Sequence, residues 1–218
     1  RQMASAPRQI PLDLGSTAAL SRDDLVVGPA NAAAVAFIDG WSGPPPLVAV
    51  LAGPAGSGKT HLAAIWRTAC GAREVDRRDI DADAIAMAGE GPIVIDDADG
   101  PALDETGMFH LLNAARAAGN PVLLTARRFP AAWGVRLPDL ASRLGAATSV
   151  EIHEPDDMLL AGVITKLFAD RQVEVDPQIV QFLVRRIERS IATAISVVDR
   201  LDRRALETKS RITRQMAA

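Results

Sequence analysis

A single cysteine, Cys70, is the only thiol in this chain, so no internal disulfide can hold the fold. No apolar run reaches transmembrane length, and no segment has the layout of a signal peptide, so the reading is a cytoplasmic protein without a membrane partner. An excess of positive charge is also missing. The 24 Lys and Arg stand against 27 Asp and Glu for a net −3, which argues against nucleic-acid binding by bulk electrostatics. The three histidines, His61, His110 and His153, show neither metal-ligand spacing nor a partnered nucleophile. Internal repeats are absent, and the one low-complexity stretch is the proline run at 44–46, read as a loop.

What is present is enough for a real core: 218 residues, 48% of them apolar, accommodate one domain of average size and a small second one. From residue 155 onward eleven Lys and Arg face nine Asp and Glu, against thirteen and eighteen before it. The main body is therefore acidic and the C-terminal end mildly basic, as solvated helix faces would make it.

Apolar strands alternate with helical stretches along that body. "LVAVLAG" at 47–53 is a short run of branched residues followed by a glycine-rich turn and the helical "THLAAIWRTAC". "GPIVIDDADG" predicts a strand at 92–96, "DETGMFHLLNAARAAG" a helix, "NPVLLTARR" a strand, and "ATSVEI" the last of the series. Such alternation implies a parallel sheet covered on both faces. After "HEPDD" the pattern turns helical: Leu159, Leu160, Val163, Ile164, Leu167 and Phe168 recur at helical spacing. Asp176 and Pro177 then open a second helix, "ATAISVVDRLDRRALE" forms a third, and "ITRQMAA" ends the chain. The organisation expected is a leader at 1–15, an α/β P-loop core at 16–154 and a helical lid at 155–218.

The chemistry sits first in "GPAGSGKT", a G-x-x-x-x-G-K-T sequence between a strand and a helix. Gly53, Pro54, Ala55, Gly56, Ser57 and Gly58 would curl into a nest whose N–H groups point at phosphate oxygens, at the positive end of a helix. Lys59 would bridge the β- and γ-phosphates of ATP, the Thr60 hydroxyl would ligate Mg²⁺, and His61 follows directly. "IVIDD" supplies the acids. Asp96 ends an apolar strand where it can reach the metal through its water shell, and Asp97 is placed to orient or deprotonate an attacking water. An aspartate at the second position, where hydrolytic P-loop proteins mostly carry glutamate, points to modest turnover. Thr125, at the end of "VLLT", suits a γ-phosphate sensor if its strand lies between the other two, and a threonine bonded only to backbone otherwise. Arg143, in "PDLASRLGAA", is a surface arginine unless a neighbour's nucleotide lies opposite it.

Together these segments resemble the AAA+ module of the bacterial replication initiator family, DnaA, over nearly the whole chain after the leader. In DnaA a helix-turn-helix domain follows the lid. The chain stops at Ala218 without one, which is closer to the DnaA-related Hda regulators. The resemblance implies several roles. Val26, Val27, Gly28 and Asn31 would line the adenine pocket, Asp96 and Asp97 would be Walker B, and Thr125 would stand in the sensor 1 strand, with Arg127 in place of the initiator's acid. Arg143 would be an arginine finger acting in trans on DnaA. The sensor 2 arginine falls at Ala192, with Arg189 one turn earlier as a substitute if the helix is rotated. ATP or ADP with Mg²⁺ would be the cofactors, with at most weak intrinsic ATPase activity.

The same resemblance gives the leader a meaning. Gln9, Leu12 and Leu14 in "RQIPLDL" form Q-x-x-L-x-L, which looks like the peptide with which this family binds the sliding clamp, the β subunit of DNA polymerase III. Two leucines would fill an apolar pocket while Gln9 hydrogen-bonds at its rim, and Pro11 favours an extended backbone. The alternative is a leader strand packed on its own domain. Clamp and DnaA are thus the partners implied, DNA enters only indirectly, and self-assembly stays open. The competing readings are a helper or loader acting on DNA or a helicase, and a P-loop kinase of small molecules.

Overall fold

The computed structural model describes residues 21–208 and 210–218; Gln9, Leu12 and Leu14 lie outside them. Five parallel strands make one sheet: β1 (Val48–Ala52), β2 (Arg73–Glu74), β3 (Ile93–Ile95), β4 (Val122–Ala126) and β5 (Thr148–Glu151), in the order β2-β3-β4-β1-β5. Nine helices accompany them: α1 (Ala32–Gly40), α2 (Lys59–Cys70), α3 (Ala82–Glu90), α4 (Glu105–Ala118), α5 (Pro138–Gly145), α6 (Asp157–Asp170), α7 (Pro177–Val184), α8 (Ile191–Thr208) and α9 (Arg214–Ala217), counted among the described residues.

The strand pleat divides the core. Val50, Ile93, Ile95, Val122 and Leu124 face the α3, α4 and α5 side, packed on Met108, Leu111, Leu112 and Leu140. Their neighbours Ala49, Leu51, Val94 and Leu123 face α1 and α2, packed on Val35, Leu62 and Trp66. Burying one large apolar side chain contributes about 1.5–3 kcal/mol, so both faces of the central strands hold the layers together. Trp41 and Trp66 stack with ring centroids 4.7 Å apart. The Trp66 indole donates to the Trp41 carbonyl and the Trp41 indole to the Pro46 carbonyl, fixing the proline run just ahead of β1.

Aspartates start the helices, as the sequence predicts for Asp176: Asp81, Asp104, Asp156 and Asp176 each accept a backbone N–H in the first turn of α3, α4, α6 and α7. The strand expected at 92–96 is only Ile93–Ile95, so Asp96 follows it as the first residue of the turn. β2 and α3 went unforeseen. β2 is two residues long, held at the sheet edge by Arg73 N–H to Pro92 and Val75 N–H to Val94.

The C-terminal helices form a cluster of their own around Leu160, Ile164, Phe168, Leu183, Ala194 and Val198. Ala30 belongs to that cluster, and Val26 packs against it. The His153 amide donates to the Ala30 carbonyl at 2.9 Å, so the 25–31 segment joins core and lid at one place.

Candidate functional site

The P-loop turns from β1 into α2 through residues 53–60. Gly56 and Gly58 have φ of +73° and +99°, the left-handed region where a side chain is strained. At Gly53 the constraint is contact: a Cβ there would stand 2.4 Å from the Ile152 carbonyl oxygen. Lys59 Nζ donates to the carbonyls of Gly53 and Pro54, both at 2.7 Å, and burial pushes its ammonium below the usual lysine range, partly opposed by Asp96. Ser57 Oγ is buried with no hydrogen-bond partner among the described residues.

β4 lies between β1 and β3, so the tips of the P-loop and Walker B strands flank Thr125. Its hydroxyl, 1% exposed, donates to Asp96 Oδ1 at 2.5 Å and accepts the Asp97 amide at 2.8 Å. A threonine serving only the backbone is therefore not what the structure holds. Thr60 Oγ1 donates to Asp96 Oδ2 at 3.1 Å. A hydroxyl beside a carboxylate suits a hard cation such as Mg²⁺, which takes one or two protein oxygens and completes its shell with water and phosphate. Among the described residues no group of three His, Cys, Asp or Glu side chains could hold a metal by itself.

Asp97 stands apart from this cluster. Its φ is +53°, and its carboxylate meets Arg77 Nη1 at 3.4 Å. Arg77, its side chain 15% exposed, also donates to the Pro101 carbonyl and lies against Gly100. Sequence reasoning missed Arg77, since nothing in "VDRRD" marks it and its partner is twenty positions away. The general-base candidate thus begins in an ion pair with a guanidinium.

In the 25–31 segment, Asn31 spends its amide locally, accepting from Gly28 N–H at 2.8 Å and donating to the Val26 carbonyl at 2.9 Å. It shapes the loop, and the neighbouring Val27 is 48% exposed. Gly28 and Val26 press on Leu159 and Gly162 of α6. The His61 ring turns to the Ser21 carbonyl at 3.0 Å, so its side chain is not one of the groups brought to the phosphate cradle.

The lid begins directly on the P-loop. Ile191 N–H donates to the Gly56 carbonyl at 2.7 Å, and a Cβ on Gly56 would stand 2.0 Å from Ser190 Oγ. Ser190 and Ile191 are the second pair that sequence reasoning missed. Arg189, expected as a substitute sensor, points elsewhere: Nη2 pairs with Asp157 at 2.8 Å and Nη1 reaches the Pro155 carbonyl. Arg189 precedes α8, whose first amide is the one bonded to Gly56, and its guanidinium lies against the start of α6. Arg143, on α5, lies 5.3 Å over the Phe109 ring, away from the chain's own cradle.

Comparison with known proteins places these parts. The Hda lid-domain family matches residues 163–215. The match covers the C-terminal helical part of the chain. The fold is similar to that of domain III of the Thermotoga maritima replication initiation protein DnaA, which superposes with a TM-score of 0.77 at 16% identity, covering 92% of this chain and 94% of that one. AMPPCP-bound DnaA from Aquifex aeolicus gives 0.71 at 19% identity over 88% of this chain and 68% of that one. The Thermotoga maritima RuvB branch migration motor gives 0.62 at 19% over 78% and 59%. An uncharacterised Haemophilus influenzae protein is 29% identical over 110 residues, half of this chain; the chain spans about half the length of that curated relative, 48% of it. The segment similar to the Hda lid domain thus follows a five-stranded parallel core, and no helix of the described residues is long and apolar enough to cross a membrane.

Proposed function

We propose that this chain is a nucleotide-bound AAA+ regulator of replication initiation, which docks on the sliding clamp and promotes ATP hydrolysis by DnaA. The observation that carries the reading is the Hda lid seated on an assembled P-loop, with Ile191 bonded to Gly56 while Thr60 and Thr125 converge on Asp96. In this reading the leader at 1–15 binds the clamp, the core at 16–154 holds ATP or ADP, and the lid at 155–218 closes on it. The nest of residues 53–58 would receive the phosphates, Lys59 would exchange its loop carbonyls for phosphate oxygens, and Val27 would face adenine. Thr60 and Asp96 would hold Mg²⁺, which when bound neutralises phosphate charge.

The chain's own turnover would be weak. Asp97 is a short acid engaged by Arg77, Ala192 brings no cation from the lid, and Arg189 is committed to Asp157. Arg143 is the group offered to a partner. It sits on α5, part-exposed, with its guanidinium over Phe109, and a finger supplied in trans accelerates hydrolysis roughly 10³- to 10⁵-fold in proteins that use one. The clamp would raise its local concentration near DnaA, since a ring of equivalent pockets rewards even a weak tethered peptide.

The test is a reconstituted assay of ATP hydrolysis by DnaA with clamp and DNA. Arg143→Ala is expected to abolish stimulation while leaving clamp capture and nucleotide binding intact. Gln9→Ala with Leu12→Ala is expected to abolish clamp capture alone. Stimulation that survives Arg143→Ala would refute the finger, and tight salt-sensitive binding to naked DNA would favour the loader reading instead.

A further inference from the structure

We propose that the C-terminal surface of the lid, built from the outward side of α8 and the adjoining ends of α7 and α9, binds the phosphate backbone of duplex DNA without reading its sequence. The whole-chain charge of −3 conceals a local imbalance: residues 185–214 carry nine Lys and Arg against four Asp and Glu. Folding sharpens it. Arg171, at the end of α6, pairs with Asp199 and Asp202, the two aspartates of α8, and so turns both carboxylates toward α6. Among the described residues the ion pairs of the lid are made by Lys166, Arg171 and Arg189. Arg186, Arg200, Arg203, Arg204, Arg211 and Arg214 take part in none of them, and all six are exposed.

These arginines fall into two groups. On α8 the buried Ala194, Val198 and Leu201 face the lid core, which leaves Arg200, Arg203 and Arg204 on the outward side, at the three- and four-residue spacing that brings side chains together on one helix face. Like charges at that spacing are unfavourable until an anion lies across them. The segment after α8 then carries Arg211 and Arg214 back to α7, where Arg186 and Arg214 both stand over the Phe182 ring, 4.4 and 4.9 Å from its centroid. α9 is held there by Ile212, buried in the lid cluster, and by the Thr213 side chain, which accepts the Met216 amide. One aromatic ring thus gathers two guanidiniums at one point.

The chemistry selects the occupant. Each of these cations is a guanidinium, whose planar fork of donors matches phosphate oxygens and which stays charged at any working pH. A single strand is held by bases stacked on open aromatic rings. The lid's aromatic residues are Phe168, fully buried, and Phe182, whose ring two guanidiniums already engage. Duplex DNA presents phosphates densely and asks for no stacking, so it fits this surface better. A handful of phosphate contacts makes a weak bond, which an otherwise acidic chain can sustain and which takes effect where something else holds the chain near DNA. The proposal depends on neither clamp docking nor Arg143, and its failure would leave both standing.

The experiment is fluorescence anisotropy of short labelled duplexes of two unrelated sequences, titrated with the 218-residue chain over a series of salt concentrations. About four phosphate contacts predict a Kd of roughly 10⁻⁴–10⁻⁶ M near physiological salt, a loss of roughly a hundredfold between about 50 and 200 mM salt, and sequences equal within about twofold. Arg200→Gln with Arg204→Gln should lower the slope of log affinity against log salt by about two, and Arg186→Gln with Arg214→Gln should do the same independently. Arg116→Gln, which removes an exposed arginine from α4 in the core, should leave affinity and slope unchanged. The proposal is overturned if the parent does not bind the duplexes, if either lid pair leaves the slope unchanged, or if one sequence is strongly preferred. It is equally overturned if the single strand, polyglutamate or phosphatidylglycerol vesicles bind more tightly than the duplex through the same arginines.

Discussion

Replacing Thr125 with valine would remove one hydroxyl and almost no volume, which makes it a direct measure of what holds Walker B in place. The hydroxyl makes two bonds, donating to Asp96 Oδ1 and accepting the Asp97 amide. Without it the Asp97 N–H loses its acceptor, and Asp96 keeps only the Thr60 contacts at 3.1 and 3.3 Å. A buried polar group left unpaired costs about 1–3 kcal/mol. Asp96 and Asp97 are themselves partly exposed, and water can replace some of the loss, so the lower half of that range is expected. The assay is urea unfolding of the parent, of Thr125→Val and of Thr68→Val. Thr68 bonds only the Ala64 carbonyl on the exposed face of α2, and its substitution should change stability by less than about 0.5 kcal/mol. Equal stabilities for Thr125→Val and Thr68→Val would refute the idea that this hydroxyl organises the acids.

Gly56→Ala should cost about 1–2 kcal/mol from its left-handed backbone alone and should also push the lid off the P-loop, because the new Cβ would meet both Oγ and Cβ of Ser190; faster proteolysis of the lid at an unchanged core would report the second effect. Cys70, its thiol pushed up by burial, should alkylate at pH 8 more slowly than free cysteine, and unfolding should abolish the difference. Arg189→Ala breaks a half-exposed ion pair and should lower stability by only about 0.2–1 kcal/mol, a loss that 0.5 M salt should largely erase in the parent.

The parts legible in the sequence were those written in adjacent residues. The P-loop declares itself because its three glycines, lysine and threonine occupy one turn, and the alternation of apolar runs places β1, β3, β4 and β5 to within a residue or two. Even the insertion of β4 between β1 and β3 was needed only to choose between two roles for Thr125. The features that escaped depend on chain crossing. β2 has too few residues to show a period, and the Arg77 to Asp97 and Arg189 to Asp157 pairs join segments far apart in the chain. An alignment could offer Arg189 as a stand-in for the cation missing at Ala192; the fold places it ahead of α8 and pairs it with Asp157.

That hydrogen bond ties two things that are otherwise separate. The carbonyl that accepts the Ile191 amide belongs to the phosphate-binding loop, and the amide opens the longest helix of the lid. On the proposed nucleotide-bound reading, a movement of the loop as it wraps a phosphate would be handed to an 18-residue lever. Linkage is reciprocal: a protein that grips the outer turns of that helix more tightly in one nucleotide state must alter nucleotide affinity by the same factor. On that reading the lid would be a gauge as much as a cover, and a partner would not need to touch the nucleotide to sense which one is bound.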